Sequence, residues 1–286
     1  MKIFGQKLAL IVLGVSAACA QAGDLRVLSG LKNPESALAG SDGRIYVSQI
    51  GAFDKDGDGS LAVIGKDGKL EIFAKGLDDP KGLAQWKGEL YAADKTRIWK
   101  IDARGNAVEW VRKSDFPEKP QFLNDLVFDS KGNLYVSDTG DLEKGGGVIF
   151  KITPQRKVTL VILEGADKRI KAPNGLLMEG DSALLVLDFL NGELNRLDLR
   201  TLKLTRLAGG FGGGDGLARD KAGVLYISDW KGGRVWSFNP RQKNSKPVLY
   251  QQNFVSAADI TLDSSEKFIL VPDMKAGTLT WLPVQH

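Results

Sequence analysis

Six polar residues stand at the same place in six similar phrases of this chain: Glu35, Lys81, Asn124, Asn174, Asp215 and Asp259. Three are acids, two are amides and one is an amine. Brought together in a narrow space, the carboxylates would repel one another and be poorly solvated. A hard divalent cation relieves both problems. Calcium accepts carboxylate and amide oxygens readily, whereas magnesium demands a stricter octahedron and keeps more water. The only histidine is His286, at the end of the sequence, and the only cysteine is Cys19. No Ser-His-Asp or Cys-His nucleophile can be assembled from them. The glycines between Gly209 and Gly216 lack dinucleotide-binding spacing, and there is no P-loop. Chemistry in this chain therefore falls to carboxylates, a metal and water.

The phrases that carry these residues begin at Pro34, Pro80, Leu123, Pro173, Gly214 and Ala258, 41 to 50 residues apart. Each is followed by a short run of strand-forming residues, such as Asn133-Leu134-Tyr135-Val136-Ser137 or Val224-Leu225-Tyr226-Ile227-Ser228. An acid closes most of these runs: Asp94, Asp138, Asp188, Asp229 and Asp273. An aspartate at a strand end can accept backbone N–H bonds in the adjoining turn, so these five are expected to be structural. Third and fourth alternating runs follow, as in Val148–Ile152 and Lys157–Val161. Four short strands repeated six times predict an all-β fold, a six-bladed β-propeller with four-stranded blades. The last repeat ends after three strands, near Val284, while Leu25-Arg26-Val27-Leu28 is unclaimed. A closed ring predicts that this N-terminal strand supplies the outer edge of the last blade. The innermost strand of every blade lines the central channel, so the six polar residues are expected in one ring at one mouth.

The N-terminus has a separate purpose. Lys2 and Lys7 precede an apolar run, Leu8 to Val15, and then small residues, including Ala18, Ala20 and Ala22. This is the pattern of a secretory signal peptide over residues 1–20, leaving a single domain over 24–286. Cys19 raises a lipoprotein alternative, but Ser16 stands where such a signal wants a large aliphatic residue. The expected location is periplasmic or secreted. Cleavage after Ala20 leaves no cysteine, so core packing, helped by a metal, must stabilise the exported chain. A net charge of +4 without a basic tract argues against nucleic acid as a partner. No second apolar run is long enough for a membrane span.

With these residues in view, the chain resembles the SMP-30/gluconolactonase/LRE-like family of six-bladed propellers over nearly all of residues 30–282. The most specific pieces are Asn124-Asp125-Leu126-Val127-Phe128-Asp129 with Gly132–Asp138, Ala172-Pro173-Asn174-Gly175-Leu176, and Asp215-Gly216-Leu217-Ala218-Arg219-Asp220 with Trp230–Val235. The resemblance implies one divalent cation held by Glu35, Asn174 and Asp215: calcium, with magnesium, manganese or zinc as alternatives. It implies that Asn124 helps to hold a water or substrate. It also implies lactone hydrolysis, with the metal polarising the carbonyl or activating a water and Asp215 as proton acceptor. One departure matters. Sugar-lactone members carry an arginine where this chain has Phe122, so an apolar wall replaces a hydroxyl-reading group and suits a less polar lactone or ester. The alternative reading is a non-catalytic exported propeller with a structural metal, binding a protein or small ligand.

Two further candidates arise from the residues alone. Lys81 could orient a carbonyl or an acidic group, or could pack its stem on the channel wall with its ammonium in water. Asp54-Lys55-Asp56-Gly57-Asp58 looks like the first half of a calcium loop, but Gly65 stands where the bidentate glutamate belongs. It reads more simply as a polar hairpin turn.

Overall fold

The computed structural model describes residues 25–53 and 55–284. The signal-peptide segment and Asp54 lie outside the described residues. Six four-stranded antiparallel sheets follow one another around a ring. The first five blades are each built from consecutive strands, running inside to outside. In blade 1 these are Pro34–Ala39, Ile45–Gln49, Gly59–Ile64 and Leu70–Leu77. The inner strands of blades 2 to 5 are Pro80–Trp86, Leu123–Phe128, Pro173–Glu179 and Gly214–Arg219. A single short 3-10 helix, Lys113–Asp115, is the only helical element among the described residues.

Blade 6 closes the ring as the unclaimed strand predicts. Its inner three strands are Thr261–Leu262, Phe268–Asp273 and Thr278–Pro283, and Arg26–Ser29 pairs along the outside of the last. The register runs from Arg26 opposite Trp281 to Ser29 opposite Thr278. The Arg26 guanidinium also sits 4.0 Å from the Trp281 ring centroid. The start and end of the propeller are thus joined in one sheet, and Thr278–Pro283 is paired on both sides.

Each blade is buried on both faces by its neighbours, so the core consists of slabs between blades. One slab joins blades 2 and 3 through Ile98, Leu126, Val136 and Phe150, and another joins blades 6 and 1 through Val47, Leu270 and Trp281. This explains why the second strands read as continuous apolar runs: Leu134–Asp138, Ala183–Asp188 and Leu225–Asp229 are buried at every position.

The five closing aspartates do what strand-end acids should. Asp138 accepts the N–H groups of Gln121, Phe122 and Gly140. Asp188 takes those of Lys171, Ala172, Leu190 and Asn191, and Asp94, Asp229 and Asp273 bind the equivalent turns. In blade 1 the position is Gln49, whose Oε1 accepts Lys32 N–H. These residues fasten the loop that leads into each inner strand, and so fix where the channel side chains begin.

Candidate active site

The inner strands share a defect that creates the site. In blade 1, Pro34 pairs with Gln49 and the ladder resumes at Ala37 opposite Val47. Two residues, Glu35 and Ser36, therefore face one, Ser48: a β-bulge. The same irregularity falls between Pro80 and Leu83, Leu123 and Leu126, Pro173 and Leu176, and Gly214 and Leu217. The first bulged residue is the polar one: Glu35, Lys81, Asn124, Asn174 and Asp215. In three blades the residue opposite is a serine, whose hydroxyl accepts the freed N–H of the second bulged residue: Ser48 for Ser36, Ser137 for Asp125, Ser228 for Gly216.

Close approach of the inner strands explains the glycines at the second bulged position. A Cβ on Gly175 would overlap the Asp215 carbonyl oxygen, and one on Gly216 would overlap the backbone of Asp259 and Ile260. At Gly82 it would lie 2.6 Å from Asn124 O and Asp125 Cα.

Five of the six polar residues line one cavity at one mouth, and all five are buried. Asp259 does not join them, contrary to the expected ring. In blade 6, Ala257 bridges Asp273 and Thr261 pairs with Leu270. That register makes Ala258 the first bulged residue and Asp259 the second. A one-residue shift in a strand turns a side chain elsewhere. Ala258 accordingly packs with Ile50 and Met274 at the mouth, whereas Asp259 points to the opposite opening beside Asp125 and accepts a 2.5 Å hydrogen bond from Ser36 Oγ.

The chemistry of the floor follows from three atoms. Glu35 Oε2, Asn174 Oδ1 and Asp215 Oδ1 are buried oxygens with no hydrogen-bond donor. Buried polar atoms are almost always partnered, and each orphan costs free energy. Three orphaned acceptors around one cavity suit a cation that takes oxygen ligands. Among the described residues no three His, Cys, Asp or Glu side chains form a metal-binding group. Two carboxylates and an amide carbonyl are a hard donor set, which favours calcium over zinc.

The electrostatics point the same way. Burial pushes the Glu35 carboxyl well up, and Asp215 and Asp259 push it further, against a lowering by Lys81. Burial likewise raises Asp215, with Asp259, Asp125 and Asp229 adding to it. A bound divalent cation inverts this logic by favouring the ionised forms.

Lys81 is buried, so its ammonium is not in water. Nζ donates to Asp79 O at 3.0 Å and lies 4.2 Å from the centroid of the Phe122 ring. Burial lowers its pKa, opposed by Glu35 and Asp79. Asn124 Nδ2 donates to Thr139 Oγ1 at 3.0 Å, and Thr139 Oγ1 donates to Pro173 O. One N–H of the amide is committed to the protein, so Asn124 offers a ligand its Oδ1 and a second N–H.

A ring of residues above the floor was not singled out from sequence. Ile50, Phe189, Trp230 and Met274 line the cavity, each immediately after the residue that closes a second strand, and Thr139 holds the same place in blade 3. Position in the repeat was the available signal, because residue type varies around the ring. With Phe122, and with Phe53 and Leu142 at the rim, these side chains give the cavity an apolar wall over a polar floor.

One acid of the polar turn at Asp56–Asp58 has its positive charge from the protein, while Asp58 Oδ1 is buried without a donor. Asp56 is paired with the Lys95 ammonium, which also lies 3.5 Å from Asp79 Oδ2, and Asp58 Oδ2 accepts Ala52 N–H. Asp54 is outside the described residues.

A six-bladed propeller with a polar, oxygen-rich floor at one channel mouth is the class that the fold and site define. The sequence model of the SMP-30/Gluconolactonase/LRE-like region matches residues 83–257, and the chain belongs to that family. Among solved structures, a gluconolactonase from Xanthomonas campestris superposes with a TM-score of 0.71 at 18% identity, covering 91% of each chain. A protein described as a putative gluconolactonase gives 0.65 at 18% identity over 92% of this chain and 95% of the other. Virginiamycin B lyase from Staphylococcus aureus gives 0.62 at 14% identity over 91% and 99%. No curated protein matches the sequence. Family membership supports a lactonase-type hydrolase in general. No described helix is long and apolar enough to cross a membrane.

Proposed function

We propose that the chain is a divalent-cation-dependent hydrolase that opens a lactone, or a related ester, at this channel mouth. The observation that carries the reading is the trio of buried, donor-free oxygens on Glu35, Asn174 and Asp215. Those residues would hold the ion, with calcium the first choice for their donor set. When bound, such an ion supplies Lewis-acid polarisation of the acyl carbonyl and lowers the pKa of water.

The remaining work belongs to side chains. Asp215 accepts the proton of the attacking water on its carboxylate. Asn124, held by Thr139, offers Oδ1 to that water or to a substrate hydroxyl. Lys81 presents a buried positive charge beside the floor, suited to a carbonyl oxygen gaining negative charge or to the carboxylate product. Phe122 contributes ring rather than hydrogen bonds, so the substrate is less polar than a sugar lactone. The signal-peptide pattern over residues 1–20 supports an exported enzyme, periplasmic or secreted.

The test is hydrolysis of a lactone panel by protein treated with chelator and then resupplied with calcium. Turnover that disappears and returns with the ion supports the reading. A cation-dependent rise in thermal stability without turnover of any lactone or ester favours a non-catalytic binding propeller instead.

A further inference from the structure

Three aromatic rings of the cavity carry a lysine ammonium on their faces. Lys81 Nζ lies 4.2 Å from the Phe122 centroid, Lys231 Nζ 4.4 Å from Phe189, and Lys275 Nζ 4.3 Å from Trp230. The first pair is buried at the floor. The other two stand at the rim, where both lysines are exposed. They come from equivalent places: each follows its closing aspartate, Asp229 or Asp273, by two residues and reaches the ring contributed by the preceding blade.

Neither rim ammonium is in an ion pair with a described carboxylate, nor does either donate a hydrogen bond. Asp58 lines the shallow groove beside Lys275 without pairing to it. The stem of Lys231 is seated on Gly213, where a Cβ would come within 2.7 Å of Lys231 Cγ. The rim therefore presents two uncompensated positive charges above an apolar wall, with the oxygen-rich floor at the bottom. A cation on an aromatic face keeps its attraction for an anion while the ring fixes its place.

We propose that the cavity takes an anionic amphiphile: a lactone or ester whose apolar arm lies along Phe189, Trp230 and Met274 and ends in an acidic group held by Lys231 and Lys275. The identity of the reacting ring rests on the hydrolase reading above. The rim preference concerns binding and can be read without turnover. Charge order sets the pose. An acidic group held by the two rim ammoniums, beyond the Phe189 and Trp230 rings, leaves the acyl carbonyl facing the floor.

The experiment is calorimetric titration of the protein, in calcium, with four non-hydrolysable δ-valerolactams: one with a heptyl arm, one whose arm ends in a carboxylate, the N-methylamide of that acid, and a polyhydroxylated one. The acid is expected to bind about tenfold more tightly than its N-methylamide at low salt, since two exposed charge contacts contribute modestly and are screened. The preference should shrink at high salt and in the double variant Lys231→Gln/Lys275→Gln. It should be retained in Lys231→Arg/Lys275→Arg, and Gly213→Ala should weaken it by displacing Lys231. An N-methylamide that binds as well as the acid, or a preference unchanged in the double Gln variant, overturns the anion site. Tighter binding of a polyhydroxylated lactam than of the heptyl one overturns the apolar arm. Turnover of the matching lactones is a separate readout: its absence alongside acid-selective binding counts against hydrolysis, not against the rim.

Discussion

Cation removal and pH should act on stability together, and the channel carboxyls fix the sign. Burial raises the carboxyls of Glu35, Asp125, Asp215 and Asp259, the last to about 7, and neighbouring carboxylates push the first three further. A carboxyl raised by folding stabilises the fold fully below its unfolded pKa and loses that contribution as pH climbs through the folded value. For Asp259 the span from 3.8 to about 7, at roughly 1.4 kcal/mol per unit, sets a ceiling of about 4 kcal/mol. In a domain of this size that corresponds to a Tm lower by about 10 °C. Chelated protein should therefore melt at progressively lower temperature from about pH 4 to about pH 7. A cation on Glu35, Asn174 and Asp215 opposes the trend. At a hundredfold excess over Kd it adds about 2.7 kcal/mol, and its effect should be larger at the alkaline end, where no proton competes. Differential scanning calorimetry with chelator and with calcium reads both effects. Asp215→Asn should flatten the pH slope and lose the calcium-dependent rise. A chelated protein equally stable across this range, with a Tm indifferent to divalent cations, would mean that the channel carboxyls are neither raised nor ligands.

Three other substitutions probe the frame around the site. Gly175→Ala sets a methyl group against the Asp215 carbonyl, where backbone cannot yield cheaply; it should cost about 1–3 kcal/mol by denaturant titration and reduce lactone turnover more than Tm alone explains. Thr139→Val removes the acceptor of Asn124 Nδ2; a stability loss of about 1–3 kcal/mol and a lower kcat/KM are expected from steady-state kinetics. Deleting Arg26–Ser29 strips the outer strand from Thr278–Pro283, and size-exclusion chromatography should show self-association through the bared edge.

The blades were legible because each is a run of β-branched, aromatic and aliphatic residues set off by turn glycines, and the strand Leu25–Leu28 had no other place to go. The five closing aspartates were legible from strand-end chemistry. Asp259 was misplaced by one residue because blade 6 has the shortest inner strand, Thr261–Leu262. An acid at the expected distance looked like a ring member, while Ala258, with no functional group, occupies the slot. Which mouth a side chain faces depends on bulge register, and sequence spacing does not record it. Lys81 shows another limit. A lysine stem on an apolar wall fits both an ammonium in water and one held over Phe122 beside Asp79 O, and only packing decides between them. The wall residues after each closing position escaped notice because their types differ, from Ile50 to Thr139 to Trp230, although their place in the repeat is constant.

Everything proposed for this protein turns on Glu35, Asn174 and Asp215 together making a cation-dependent hydrolytic site. Its most direct test is lactone hydrolysis followed by acid release in chelated protein, in protein resupplied with calcium, and in Asp215→Ala. Turnover should be absent after chelation, return with calcium, and stay absent in the variant. Turnover that survives both chelation and Asp215→Ala would contradict it.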